Sequence, residues 1–484
     1  MSEILASIRS IEELIEHVPD LEDRLSELYK YLQTSEQLML DFITDVTNGN
    51  EPRSVDPDVE GELEFGLFLH WLNNPIEAFE AEIDAIPLQT NALMMLRHFA
   101  PQSQISTDIF NAFQVSAYEL GFAAADGTLW TFGKYAQLDV RWLGTVLNYG
   151  INLAFPDTVY TPYPPANLAY NKPIGTDKDS ISIAIIGDWG TGAYGDEFGG
   201  KGPAIAVMNA VRGLSPDYAV HLGDVYYSGT AENRHPRHEE QENFINDWKT
   251  GIEEPQTNFT LNSNHEMYGA AKGLIEVALA GNSPFSHQNS APYFALDYGN
   301  WIIIGLDSAY FDPSNLYMQG AVGGPEQQDF VDSLGLVSGA NKDKKVMVMT
   351  HHNPMSYDGQ DITQNQKAGI NLLDGIKALL GKQPDLWYWG HLHLGVAYND
   401  ASALGQLGIK SRCIGHGGIP FGNASGMIAD NVDYFAHTPL QPTGTIQVQN
   451  GFAVLTIQKD GTISEIFYEV TDTGTCVQMW PEPA

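Results

Sequence analysis

Five short apolar runs, each closing on polar residues, constrain this chain more than anything else in it. They are ISIAIIGDWG from 181, DYAVHLGDVYY from 217, WIIIGLDSAY from 301, KKVMVMTHHNP from 344 and DLWYWGHLH from 385. A strand can be apolar along its whole length only when both faces of its sheet are covered. Helical patterns lie between the runs, around 203–213, 325–337 and 365–381. Buried strands alternating with helices imply a layered α/β domain. Further on, FAVLTIQ (452–458) and ISEIFYEV (463–470) flank Lys459-Asp460-Gly461-Thr462, and Asp-Gly between two strand-like runs predicts a hairpin.

The first third reads differently. Leu21, Leu25, Leu28 and Leu32 recur at helical spacing, and Leu38, Phe42, Ile43 and Val46 continue the stripe as far as the breaker cluster at 48–52. Similar patterns over roughly 60–98 and 108–152 predict a mostly α-helical N-terminal region, 1–155, of unassigned role. Residues 156–180, dense in Pro, Asn and Asp, read as a linker. The α/β part spans 181–470, and 471–484 reads as a C-terminal tail.

Charge removes some functions. There are 61 Asp and Glu against 24 Lys and Arg, a net −37, so neither a nucleic-acid groove nor an anionic membrane surface is an expected partner. Of the acids, 21 lie in the first hundred residues, against five basic residues there. The apolar fraction of 43% is enough for ordinary cores, so the acidity does not signal disorder. Cys413 and Cys476 cannot make a disulfide framework, and whether they pair is open. No basic, then apolar, leader pattern and no long uncharged apolar run is present, which predicts a soluble, reduced, cytoplasmic protein.

In open α/β sheets, ligands gather at the carboxyl ends of strands. Those ends carry Asp188, then Asp224 with Tyr227, then His351, then His391 and His393, while Asn264 sits between two strands. Taken singly, none persuades: an Asp there is often a helix cap or turn residue, and a His near a strand end is more often structural than a ligand. Together they are seven oxygen and nitrogen donors without a thiolate, a set that suits Zn, Fe or Mn. Two such cations, roughly 3.5–4 Å apart, clamp the attacking and leaving oxygens of a displacement at phosphorus.

GDWG (187–190), GDVYY (223–227), NHE (264–266), VMTH (348–351) and GHLH (390–393) resemble, in order, the five blocks of the calcineurin-like metallophosphoesterases. Within them the pattern is similar to that of the purple acid phosphatases. Gly190 stands where most of the superfamily has His, and a tyrosine follows three residues after Asp224. The resemblance implies a four-layer αββα sandwich. It also implies one metal site of Asp188, Tyr227, His393 and a bridging Asp224, and another of Asn264, His351, His391 and the same Asp224. The family's metals would be Fe(III) and a divalent Fe, Zn or Mn, and a metal-bound hydroxide would attack small-molecule phosphate esters. The NHE histidine, His265, would contact the phosphate with Asn264 and protonate the leaving group, with Glu266 orienting its ring.

One departure bears on the substrate. Plant-type purple acid phosphatases carry further histidines after the fourth block, whereas here MSYDGQD follows His351-His352-Asn353-Pro354. His352 or Asn353 is then a candidate contact, as is Arg234 with Arg237 in the Arg/His cluster at 232–238. His416, in a Gly-rich turn, reads as structural. Alternatives are a phosphodiesterase of the same superfamily, or a binding or assembly protein working through its N-terminal region.

Overall fold

The computed structural model describes residues 121–131, 134–137, 145, 149, 162–193, 202–231, 238–252, 256–441 and 445–483. In chain order the strands and helices are β1 (Gly121–Ala123), β2 (Leu129–Thr131), β3 (Tyr170–Pro173), β4 (Ser180–Ile186), α1 (Pro203–Leu214), β5 (Tyr218–His221), β6 (Asn258–Thr260) and α2 (Asn264–Tyr268). There follow β7 (Phe294–Tyr298), β8 (Trp301–Gly305), α3 (Pro325–Ser333), β9 (Lys345–Thr350), α4 (Leu372–Leu380), β10 (Leu386–Trp389), β11 (Gly395–Tyr398), β12 (Lys410–Ile414) and β13 (Val432–Phe435). The last three are β14 (Gly451–Gln458), β15 (Ile463–Val470) and β16 (Cys476–Trp480).

Two mixed sheets form the centre. One runs β13-β11-β12-β10-β9-β8-β7-β3 and the other β16-β15-β14-β4-β5-β6. Alternation along β4 shows how they are layered. Ile181, Ile183 and Ile185 point between the sheets, meeting Ile303, Met347 and Met349. Ala184 and Ile186 point outward, beneath Ala204, Val207 and Val211 of α1. On the far side, α3 and α4 bury Phe330, Val331, Leu372 and Ile376 against Ile302, Ile304, Val346 and Val348. The four layers are therefore α, β, β, α, as the resemblance implies.

Local signals set the helix limits. Pro203 opens α1, where its missing N–H costs nothing. Asn371 caps α4 by accepting the Asp374 N–H, and Gly381 ends it in a left-handed turn. The Asp-Gly hairpin is present, with β14 and β15 antiparallel.

Three segments differ from their expected form. The helical expectation for 1–155 lies mostly outside the described residues. Within the 108–152 stretch, β1 and β2 pair as a hairpin instead. The cause is local: Asp126 accepts the Thr128 N–H, and Gly127 takes a φ of +96°. The expected linker supplies β3, and the expected tail supplies β16, each an edge strand held by backbone bonds that side-chain composition does not reveal. Cys413 and Cys476 are free thiols. No helix among the described residues is long and apolar enough to cross a membrane.

Candidate metal centre

Parallel strands β4 and β5 in one sheet, and β9 and β10 in the other, end at the same rim of the sandwich. The chain turns sharply after them. Asp188 has a φ of +53°, Asp224 of +90°, His391 of +67° and His393 of +51°. Left-handed backbone at four non-glycine residues is strained, and strain gathered at one point marks a site whose geometry the fold enforces.

Asp188 is fully buried. Its two carboxylate oxygens accept the backbone N–H groups of His391 (3.0 Å) and His393 (3.3 Å). Glycines let the surrounding loops come this close: a Cβ on Gly415 would stand 2.3 Å from Asp188 Oδ2. A Cβ on Gly190 would stand 2.5 Å from the backbone of Val225, so the block's third position has no room for a histidine while Gly190 donates to the Asp224 carbonyl.

Asp224 lies between two groups of donors. Its Oδ2 is 3.3 Å from His393 Nε2, and its Oδ1 is 3.6 Å from His351 Nε2. Nε2 of His351 is also 2.8 Å from Asn264 Oδ1 and 3.2 Å from His391 Nδ1. Tautomers follow from the outer nitrogens. His351 Nδ1 must donate to the Leu222 carbonyl (3.0 Å) and His391 Nε2 to that of Met318 (3.1 Å). In the neutral rings the inner nitrogens are then lone pairs, facing each other and two acceptor oxygens. Acceptors converge in this way where a cation belongs.

The electrostatics agree. Burial and the neighbouring charge of Asp224 push the Asp188 carboxyl well above its usual range. Burial would raise Asp224 too, but the surrounding imidazoles, His265 foremost, outweigh it and bring its carboxyl below the usual range. Burial keeps His351 and His391 well below the ordinary imidazole range, hence neutral and ready to ligate. Among the described residues the ion-pair partners of Asp188 and Asp224 are all imidazoles. Neighbouring ligands on one ion, with bonds of about 2.0–2.2 Å, lie roughly 3 Å apart. The donor set therefore fits two metal ions sharing Asp224.

Other expected residues take different places. His265 donates from Nδ1 to the Tyr227 carbonyl (2.7 Å), its ring lies flat on that of Tyr226 (4.0 Å between centroids, 13°), and its Nε2 is 3.7 Å from Asp224 Oδ1. Glu266 does not orient that ring. Its carboxyl accepts the Asp224 backbone N–H (3.2 Å) and is hydrogen-bonded to Ser263 Oγ, and burial together with Asp224 pushes its pKa up to about 8. His352 is fully buried with both ring nitrogens engaged, Nδ1 by the Ser308 hydroxyl (2.8 Å) and Nε2 by the Tyr317 carbonyl (2.6 Å), so it braces the wall behind His391 instead of meeting a substrate. Asn353 donates to the Met355 carbonyl. Arg234 and Arg237 lie outside the described residues.

Sequence reasoning missed several neighbours. The hydroxyl 3.1 Å from His393 Nε2 belongs to Tyr226, not Tyr227. Ser263 caps α2, accepts the His265 N–H and donates to Asp224 Oδ1 (3.1 Å). Two tyrosines from ahead of the α/β part also reach this rim. Tyr135 packs on Tyr226 and Tyr227 and donates to the Thr191 carbonyl (2.9 Å), and Tyr149 packs between Tyr268 and Tyr317. A serine before NHE reads as an N-cap in sequence, but nothing there signals the two distant tyrosines.

Residues 181–395 match the profile of the calcineurin-like phosphoesterases. No curated protein matches the chain. Among solved structures, one of PhoD is similar at 12% identity and a TM-score of 0.34, covering 62% of this chain and 72% of that one. Another, of a candidate 5′-nucleotidase from Staphylococcus aureus in complex with alpha-ketoglutarate, is similar at 11% identity and a TM-score of 0.31. It covers 62% of this chain, which spans about half of that one (54%).

Proposed function

We propose that this chain, whose residues 181–395 form a calcineurin-like phosphoesterase domain and thus part of a metal-dependent phosphoester hydrolase, is a phosphomonoesterase of the purple acid phosphatase type. The observation that carries the reading is Asp224, one carboxylate with its oxygens turned to two separate donor groups. Asp188 and His393 would hold one ion, and Asn264, His351 and His391 the other, with iron(III) in the first and a divalent Fe, Zn or Mn in the second. Bound there, the ions would supply positive charge to the phosphate oxygens and lower the pKa of an attacking water.

The chain's own part is positional and acid–base. Asp188 is locked by two backbone N–H groups, so its carboxylate is aimed before anything binds. His265 keeps its Nδ1 proton on the Tyr227 carbonyl, which leaves Nε2, the atom facing Asp224, as the position where a proton is held for the departing alkoxide. Glu266 and Ser263 grip the backbone and carboxylate of Asp224. The likeness to the purple acid phosphatases rests on Gly190 together with a tyrosine in the second block.

The test is turnover of p-nitrophenyl phosphate, bis(p-nitrophenyl) phosphate and nucleoside monophosphates, with metal content measured on the same sample. Two metals per chain and faster monoester hydrolysis are expected. Preference for the diester would make the chain a phosphodiesterase, and a protein without metal or turnover would refute the reading.

A further inference from the structure

Two tyrosines follow Asp224, and spacing alone favours the second. The geometry points to Tyr226, and not Tyr227, as the phenolic ligand of the Asp188–Asp224–His393 site. This assignment rests on the two-metal reading above and names one of its ligands.

Tyr226, Asp224 and His393 meet at one corner. The Tyr226 hydroxyl is 3.1 Å from His393 Nε2, and that nitrogen is 3.3 Å from Asp224 Oδ2. Both separations match the roughly 3 Å between neighbouring ligands on one ion with bonds of about 2 Å. The carboxylate atoms of Asp188 and Asp224 and a ring nitrogen of His393 also all lie within 4.8 Å of one another. A phenolic oxygen at this corner adds a third anionic oxygen to two carboxylates and one imidazole, a donor set suited to a trivalent iron.

Tyr226 is held in this pose from several sides. Its backbone N–H donates to the Gly190 carbonyl (2.9 Å), and its own carbonyl accepts from the Asn243 side chain. His265 lies flat on one face of its ring, and Tyr135 meets it edge-on at 5.5 Å and 84°. Tyr227 is anchored toward other partners. Its N–H donates to Glu239 (2.9 Å), its carbonyl takes the His265 Nδ1 proton, and its ring packs 4.8 Å from that of Tyr135 in a cluster with Ile419. On this assignment Tyr227 is a positioning residue, whose backbone orients His265 and whose ring supports the wall.

Full-length wild type, Tyr226→Phe and Tyr227→Phe, each loaded aerobically with iron and zinc and checked for an unchanged thermal melt, provide the test. The readouts are metal content by mass spectrometry and the visible phenolate-to-iron(III) charge-transfer band. Wild type should hold two metals and show the band. Tyr226→Phe should lose it and give up metal from the iron site, while Tyr227→Phe keeps both. A band that survives Tyr226→Phe, that Tyr227→Phe removes, or that wild type lacks with two metals bound overturns the assignment. The underlying reading fails separately: a wild type that binds no metal pair, or that leaves p-nitrophenyl phosphate intact, refutes it.

Discussion

Asp224 and His265 are neighbours with separable duties, and single changes distinguish them. Asp224 is fully buried, and its oxygens belong to different donor groups. Asp224→Asn keeps the volume but replaces one shared oxygen with an N–H donor that repels a cation. Both metals and turnover should be lost, as read by metal analysis and p-nitrophenyl phosphate hydrolysis; two metals retained by this variant would contradict the bridge. His265 makes its hydrogen bond outside both donor groups, to the Tyr227 carbonyl. His265→Ala should therefore keep both metals while kcat falls by about 10²–10⁴, the usual share of general acid–base help. Loss of metal would instead place His265 among the ligands.

At the scale of elements, strand ends and turns do the work. The ends of β4, β5, β9 and β10 were legible because a strand buried on both faces shows as an unbroken apolar run, and the polar residues that stop it are the donors that meet at the rim. The five blocks then named Asp188, Asp224, Asn264, His351, His391 and His393, and the fold brings all six to one rim. What stayed hidden is set by backbone direction. GDVYY offers two adjacent hydroxyls, and only the turn after Asp224, at a φ of +90°, decides which of them meets His393. Glu266 differs from its expected role for a related reason: three residues after the Ser263 cap, its carboxyl bonds the Asp224 backbone N–H and the Ser263 hydroxyl. The turn holding Gly415 allows a sharper test. An alanine Cβ there would stand 2.3 Å from Asp188 Oδ2 and 2.9 Å from the His393 N–H, two atoms that cannot both retreat because they are bonded to each other. Gly415→Ala should lower metal content from two equivalents to about one and cut turnover at least tenfold, since the displaced carboxylate serves one ion. Full metal content in this variant would show that the rim is looser than it looks.

Over the whole molecule, the two sheets bury histidines that no metal explains, and these tie the fold to pH. His416, behind the Gly-rich turn, is fully buried with both ring nitrogens lacking a hydrogen-bond partner, and burial pushes its pKa down to about 3. His221, at the end of β5, is fully buried against Phe244 and Trp248, and burial takes it to about 3 as well, against the pull of Asp224. Each imidazole titrates near 6.5 when the chain unfolds. The folded pKa is depressed, so between roughly 6.5 and 3 the unfolded chain binds more protons than the folded one, and stability is lost as pH falls through that window. At about 1.4 kcal/mol per unit, a shift of this size corresponds to up to several kcal/mol per histidine. Metal release at low pH also destabilises, but it acts alike on any variant that keeps the rim intact. His416→Leu isolates the histidine: it removes a titrating group without breaking a hydrogen bond to its ring, and leucine can pack on the neighbouring Phe421 ring. Thermal melts of wild type and His416→Leu at pH 7.5, 6, 5 and 4 should diverge, with the variant losing less stability on acidification. Parallel curves would mean that His416 is already protonated or solvated in the folded protein.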